Sequence, residues 1–117
     1  MKKRREIIVP KTKEAEYALD YEEATDDQLD TLFLDQKYYL DFWQSGLLDL
    51  LNELSPESLI ADYEKATISN PVIIEQIISA LKNKKGFSYS LAAPLTDELI
   101  TLFEMALMRN TGIYFYL

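Results

Sequence analysis

Residues 29–54 read LDTLFLDQKYYLDFWQSGLLDLLNEL, and the spacing of apolar side chains in this stretch decides which fold the chain is expected to take. Leu29, Leu32, Phe33, Leu40, Trp43, Leu47, Leu50, Leu51 and Leu54 recur three and four residues apart, the repeat that lays apolar groups along one side of an α-helix. Just upstream, Thr25 and Gln28 have capping-box spacing, and Asp26 and Asp27 suit the positive end of a helix dipole. A helix is therefore expected from about Asp26, bent or divided at Gly46. Leu40, Trp43, Leu47 and Leu50 are expected to hold the core, and the remaining faces carry Asp30, Asp35, Tyr38, Tyr39, Asp41, Asp49 and Glu53.

Working outward, KTKEAEYALDYEEA (residues 11–24) favours a second helix, with Tyr17 and Tyr21 one turn apart. Glu22, Glu23, Asp26 and Asp27 follow at its negative end, where the helix dipole opposes them. Before it, Ile7, Ile8 and Val9 form a short β-prone run stopped by Pro10, read as an edge strand or a tail. Residues 1–6 are expected to be a flexible basic arm.

Downstream, Ser55-Pro56 and Asn70-Pro71 are helix starts, the first leading to about Lys65 with Leu59, Ile60 and Tyr63 on its apolar side. The second opens the very apolar run Val72, Ile73, Ile74, Ile77, Ile78 and Leu81, expected to be the central buried helix and to stop at Gly86. The alternation of Phe87 to Leu91 reads as a half-buried strand, Thr96 as a helix cap, and Ile113 to Leu117 as a final strand. The expected fold is mainly α: a compact single-domain helical bundle over residues 1–117, with a few short β-strands at the termini and near residues 87–91.

Composition narrows the chemistry. With 117 residues, one domain can bury roughly 65% of the surface the unfolded chain exposes. Without cysteine or histidine there is no disulfide, thiolate nucleophile or imidazole base, and only carboxylate, lysine or tyrosine chemistry is left to an enzyme. Glycines 46, 86 and 112 are isolated, so no phosphate loop exists. The acidic run DYEEATDDQLD lacks the central glycine and alternating ligands of a calcium loop. No pair of carboxylates is spaced as an acid and base in one cleft. Catalytic residues, cofactors and metal ligands are accordingly not expected, and the chain reads as a non-enzyme.

The net charge of −8 is unevenly spread: residues 1–13 carry +5, residues 14–64 carry −14 and residues 65–117 carry +1. Such an acidic block is repelled by nucleic-acid phosphates and attracted to basic surfaces, although an acidic surface also serves plain solubility. Tyrosine suits sites with one wet and one apolar end. The residues expected to meet a partner are Asp20, Tyr21, Glu22, Glu23, Asp26, Asp27, Asp30, Asp35, Tyr38, Tyr39 and Asp41. The N-terminal apolar run is too short for a signal-peptide core or a membrane span, so a cytoplasmic location and no membrane partner are expected.

The segments IIVPKTKEAEYALDYEEAT and LDQKYYLDFWQSGLLDLLNEL resemble the small immunity proteins of bacterial contact-dependent growth inhibition systems, over roughly the first half of the chain. The resemblance implies a cytoplasmic inhibitor that binds and neutralises the C-terminal toxin domain of a cognate adhesin, commonly a nuclease. It carries over no contact residues; those named above rest on charge and expected exposure. An acidic protein can fill the positive groove such an enzyme needs, without chemistry of its own and without binding nucleic acid directly. The alternative from charge alone is an acidic nucleic-acid mimic or adaptor that regulates a nucleic-acid-binding protein.

Overall fold

The computed structural model describes residues 5–61 and 64–117. Their chain order is β1 (Glu6–Pro10), α1 (Lys13–Asp20), a 3₁₀ turn (Asp26–Gln28), β2 (Leu29–Phe33), α2 (Gln36–Gln44), α3 (Leu47–Leu54), β3 (Lys65–Ile68), α4 (Pro71–Asn83), a second 3₁₀ turn (Tyr89–Leu91), α5 (Ala93–Arg109) and β4 (Ile113–Tyr116). The strands form one antiparallel sheet in the order β2-β1-β4-β3. Helix makes up 55% and strand 16% of these residues, so the expected mainly-α bundle gives way to a mixed α/β fold of five helices on a four-stranded sheet.

The sheet is covered on both sides because its two central strands, β1 and β4, are apolar on both faces. Ile7 and Val9 of β1, with Ile113, Phe115, Ala66 and Ile68, face a core shared with the four later helices. Phe115 lies in that core, stacked on Phe42 of α2 at 6.4 Å and tilted against Phe103 of α5 at 6.3 Å. On the opposite face Ile8 and Tyr114 meet Leu19 of α1 in a smaller cluster. Ile7-Ile8-Val9 is therefore part of an inner strand, and a three-residue apolar run suits that place because both its faces are buried.

The stretch 29–54 is divided in three. The capping box at Thr25 and Gln28 forms, but it opens one 3₁₀ turn rather than a helix. Residues 29–33 then pair with β1, from Glu6 opposite Phe33 to Pro10 opposite Leu29. Their three-and-four spacing is equally a strand with Leu29, Thr31 and Phe33 on one face and Asp30 and Leu32 on the other. Asp35 caps α2 by accepting the Tyr38 N–H at 2.8 Å. Gly46, at φ +86°, is the break before α3. Trp43 is 40% exposed, while Phe42 beside it is fully buried, so the expected core role passes from Trp43 to its neighbour. Leu40 is likewise exposed, whereas Leu47 and Leu50 are buried as expected, and Leu51 with them.

Three further expectations change. Among the described residues no helix follows Ser55-Pro56: the Asn52 side-chain amide brackets the Ile60 backbone with bonds of 3.0 and 2.7 Å and holds this part of the segment as a loop, with Leu59 exposed. The Tyr63 expectation lies outside the described residues. Residues 89–91 turn on themselves instead of forming a strand, with the Leu91 and Ala92 N–H groups bonded to carbonyls three residues back. Helix α4 starts at Asn70-Pro71 as read, but only Ile74, Ile77 and Leu81 are buried and Val72 is 60% exposed. The longest helix, α5, fills the central place with Leu95, Thr96, Leu99, Leu102, Phe103 and Ala106. Thr96 lies inside this helix, its hydroxyl donating to the Ala92 carbonyl, and caps nothing.

Candidate partner-binding surface

Thr12 opens α1 by accepting the Ala15 N–H. One face of this two-turn helix then meets the sheet. Glu16 and Asp20, one turn apart, both accept from the Tyr114 hydroxyl, and Glu16 also takes the Gly112 N–H at 2.6 Å. Burial, reinforced by those two carboxylates, pushes the Tyr114 phenol well up from its ordinary range. Burial with Asp20, Glu22 and Glu6 nearby pushes Tyr116 up to about 12.

The outward face of α1 carries Tyr17 and Tyr21, exposed by 66% and 61%, with ring centres 4.7 Å apart. The helix ends when the Glu23 N–H reaches back to the Ala18 carbonyl and Glu22 takes φ +58°, a left-handed stop usually given to glycine. Glu22, Glu23, Asp26 and Asp27 are all exposed. The Thr25 hydroxyl donates to Asp27 and holds its carboxyl below the usual range. Among the described residues, Lys65 lies 3.7 Å from Asp20, and no cation makes an ion pair with Glu22, Glu23, Asp26 or Asp27. Between this turn and the sheet runs a groove of about 310 Å³ lined by Glu6, Ile8, Leu19, Asp20, Glu22 and Tyr116.

The other expected residues lie elsewhere. Asp30 is on the face of β2 that carries Leu32, paired with Arg109 of α5 at 2.6 Å. Asp35 is the α2 cap, and Asp41 pairs with Lys37 at 2.8 Å. The Tyr38 hydroxyl bonds Glu98 of α5, which raises its pKa. Tyr39 lies under the Arg5 guanidinium at 3.9 Å and edge-on to Trp43. The structure thus groups Asp20, Tyr21, Glu22, Glu23, Asp26 and Asp27, and separates them from Asp35, Tyr38, Tyr39 and Asp41 by the length of β2, roughly 17 Å.

Tyr17, one turn from Tyr21 in the sequence, is the residue whose ring meets it at one end. Sequence reading passed over Asp97 and Glu98, which complete the other end; they sit in the near-neutral C-terminal part and carried no such signal. With Asp30, Leu32, Leu102 and Met105 they line a groove of about 390 Å³ between β2 and α5. Asp97 accepts from the Tyr89 hydroxyl at 3.1 Å, a bond that raises the Tyr89 pKa.

Chemically, both regions offer carboxylates and phenols aimed at solvent. Among the described residues no cluster of three or more His, Cys, Asp or Glu is arranged to hold a metal ion, and no helix is long and apolar enough to cross a membrane. The arrangement can attract, orient and bury a cationic surface. No protein-family model, curated protein or solved structure matches the chain.

Proposed function

We propose that the protein is a cytoplasmic immunity protein that binds a cognate toxin domain, a nuclease in kind, and blocks its basic substrate cleft. The observation that carries this reading is the exposed turn from Asp20 to Asp27, in which four carboxylates without an ion pair among the described residues stand beside a pair of exposed tyrosines whose rings meet at a tilt. Tyrosine supplies rigid contact area and suits interface anchors, while carboxylates without their own cations lose little internal pairing when they meet a positive cleft. The sequence resemblance supplies the kind of partner. The turn is backed by the sheet through Glu16, Tyr114 and Gly112, so it is presented in one shape.

The test is co-expression with the toxin fragment encoded immediately upstream, scored by survival and by a co-purifying complex. Survival and capture are expected, with association slowing as salt rises. Changing Asp26 and Asp27 to Asn with Glu22 and Glu23 to Gln is expected to slow association by about tenfold or more. No complex with the wild-type chain removes the reading; a complex indifferent to salt and to these changes removes the acidic turn as its basis.

A further inference from the structure

Strand β2 lies at the edge of the sheet. The bonds that bracket the β1–β2 ladder, Lys11 N–H to Gln28 O and Leu34 N–H to Arg5 O, both 2.9 Å, fix its phase. Antiparallel pairs alternate between exchanging both bonds and exchanging none. Val9 with Asp30 and Ile7 with Leu32 are then the bonded pairs, and the Thr31 N–H and C=O point away from β1. Neither group finds a partner among the described residues. Exposed edges of this kind are templates for another strand unless they are blunted.

What flanks the edge selects the strand that fits. On the α5 side the groove has an apolar floor of Leu32, Leu102 and Met105 and a wall of Asp97 and Glu98. Asp30 is already paired with Arg109, whereas among the described residues Asp97 and Glu98 accept from the phenols of Tyr89 and Tyr38 and make no ion pair. Asp26 and Asp27 stand at one end of the strand and Asp35 at the other. A second copy of this chain brings a net charge of −8 against the same carboxylates, so like charges oppose edge-to-edge self-pairing.

We infer that the open edge of β2 docks an extended basic segment of the protein partner as a fifth strand, with a Lys or Arg reaching Asp97 and Glu98 and an apolar neighbour on the same face seated on Leu102 and Met105. The inference rests on the preceding reading for its partner, a basic protein, and adds the mode of capture. Backbone bonds at Thr31 supply register, and alternate side chains supply selectivity, because every second residue of an added strand faces the groove.

Hydrogen exchange of the wild-type protein with a short peptide alternating lysine and valine tests this directly. The Thr31 amide is expected to slow by about tenfold or more at saturation, as an amide newly bonded across a ladder does. The same peptide methylated on alternate backbone nitrogens is expected to give no protection. Asp97→Asn with Glu98→Gln is expected to weaken the unmethylated peptide by about tenfold. Equal binding of the methylated peptide, unchanged Thr31 exchange, or dimers formed through this edge without peptide would each overturn it.

In the co-expression assay Thr31→Pro removes the outward N–H from an edge position where proline is tolerated, and Thr31→Val keeps it. Loss of capture with Thr31→Pro alone supports strand addition. Full capture by Thr31→Pro, with loss only on neutralising the Asp20 to Asp27 turn, overturns strand addition and leaves the immunity reading in place. No capture by wild type, with Thr31 still protected by the peptide, removes the immunity reading and leaves the edge as a docking site.

Discussion

Glu22 holds a backbone angle of φ +58° that costs a residue with a Cβ about 1 kcal/mol and that glycine adopts freely. Glu22→Gly is expected to raise the unfolding free energy by about 0.5–1 kcal/mol in urea melts, and Glu22→Ala, which keeps the Cβ, by less than about half of that. An equal gain with Ala would assign the effect to charge relief instead. The strained carboxylate is retained at the turn that is proposed to meet the partner, and Glu22→Gly should also slow that association. Glu22, Glu23, Asp26 and Asp27 were legible as surface groups because acids crowd a helix end that disfavours them. Asp30 was not, since its cation lies 79 residues away in the chain, and the Glu98 partner of Tyr38 was hidden in the same way. Removing one half of the partly buried pair, as in Arg109→Met, should cost about 1–3 kcal/mol, most of it recovered by adding Asp30→Asn. No recovery in that double-mutant cycle would mean that Arg109 acts through packing alone.

Among the elements, those with strong local signals were legible. The helix-favouring composition around α1, the Asn70-Pro71 start of α4 and the β-prone Ile113 run of β4 are all local features. Residues 29–33 were not, because five residues with apolar groups on both faces satisfy helix and strand spacing alike. The choice is made by pairing with β1, twenty residues earlier, which a local reading does not contain. The ladder phase yields a sharp contrast. Leu32→Pro removes a bonded N–H and should cost about 3 kcal/mol or more beyond Leu32→Ala, whereas Thr31→Pro should cost less than about 1; similar losses at both positions would reverse the assigned phase. The docking of α1 is equally testable. A phenol held at about 12 in the folded chain, against an ordinary value near 10 when unfolded, binds its proton more tightly when folded. The stabilisation is thus complete below about pH 10 and is lost as pH rises toward 12. The urea midpoint should fall across that window, and Tyr116→Phe should flatten the fall; an unchanged slope would remove Tyr116 as its source.

At the scale of the whole molecule, one acidic block and a single domain were legible from charge and length, while the mixed fold was not. Its central strands, Glu6–Pro10 and Ile113–Tyr116, come from opposite ends of the chain, and only their pairing makes a sheet for the helices to cover. Closing the chain on itself also concentrates charge. The molecule spans 36 Å along its longer axes, only a few times the Debye length of about 10 Å at 0.1 M salt. Carboxylates of the 14–64 segment therefore repel one another at low salt and are screened as salt is added. The same screening should act with opposite sign on two properties. Stability should rise from low to moderate sodium chloride, because compact like charges destabilise the folded state. Association with a basic partner should slow by about tenfold or more over the same range, with the dissociation rate nearly constant, because steering is long-ranged and the buried contacts are not. Urea melts and stopped-flow mixing in one salt series measure both. Parallel changes would show that salt acts on the fold alone; a stability gain with a falling on-rate ties the acidic block to capture.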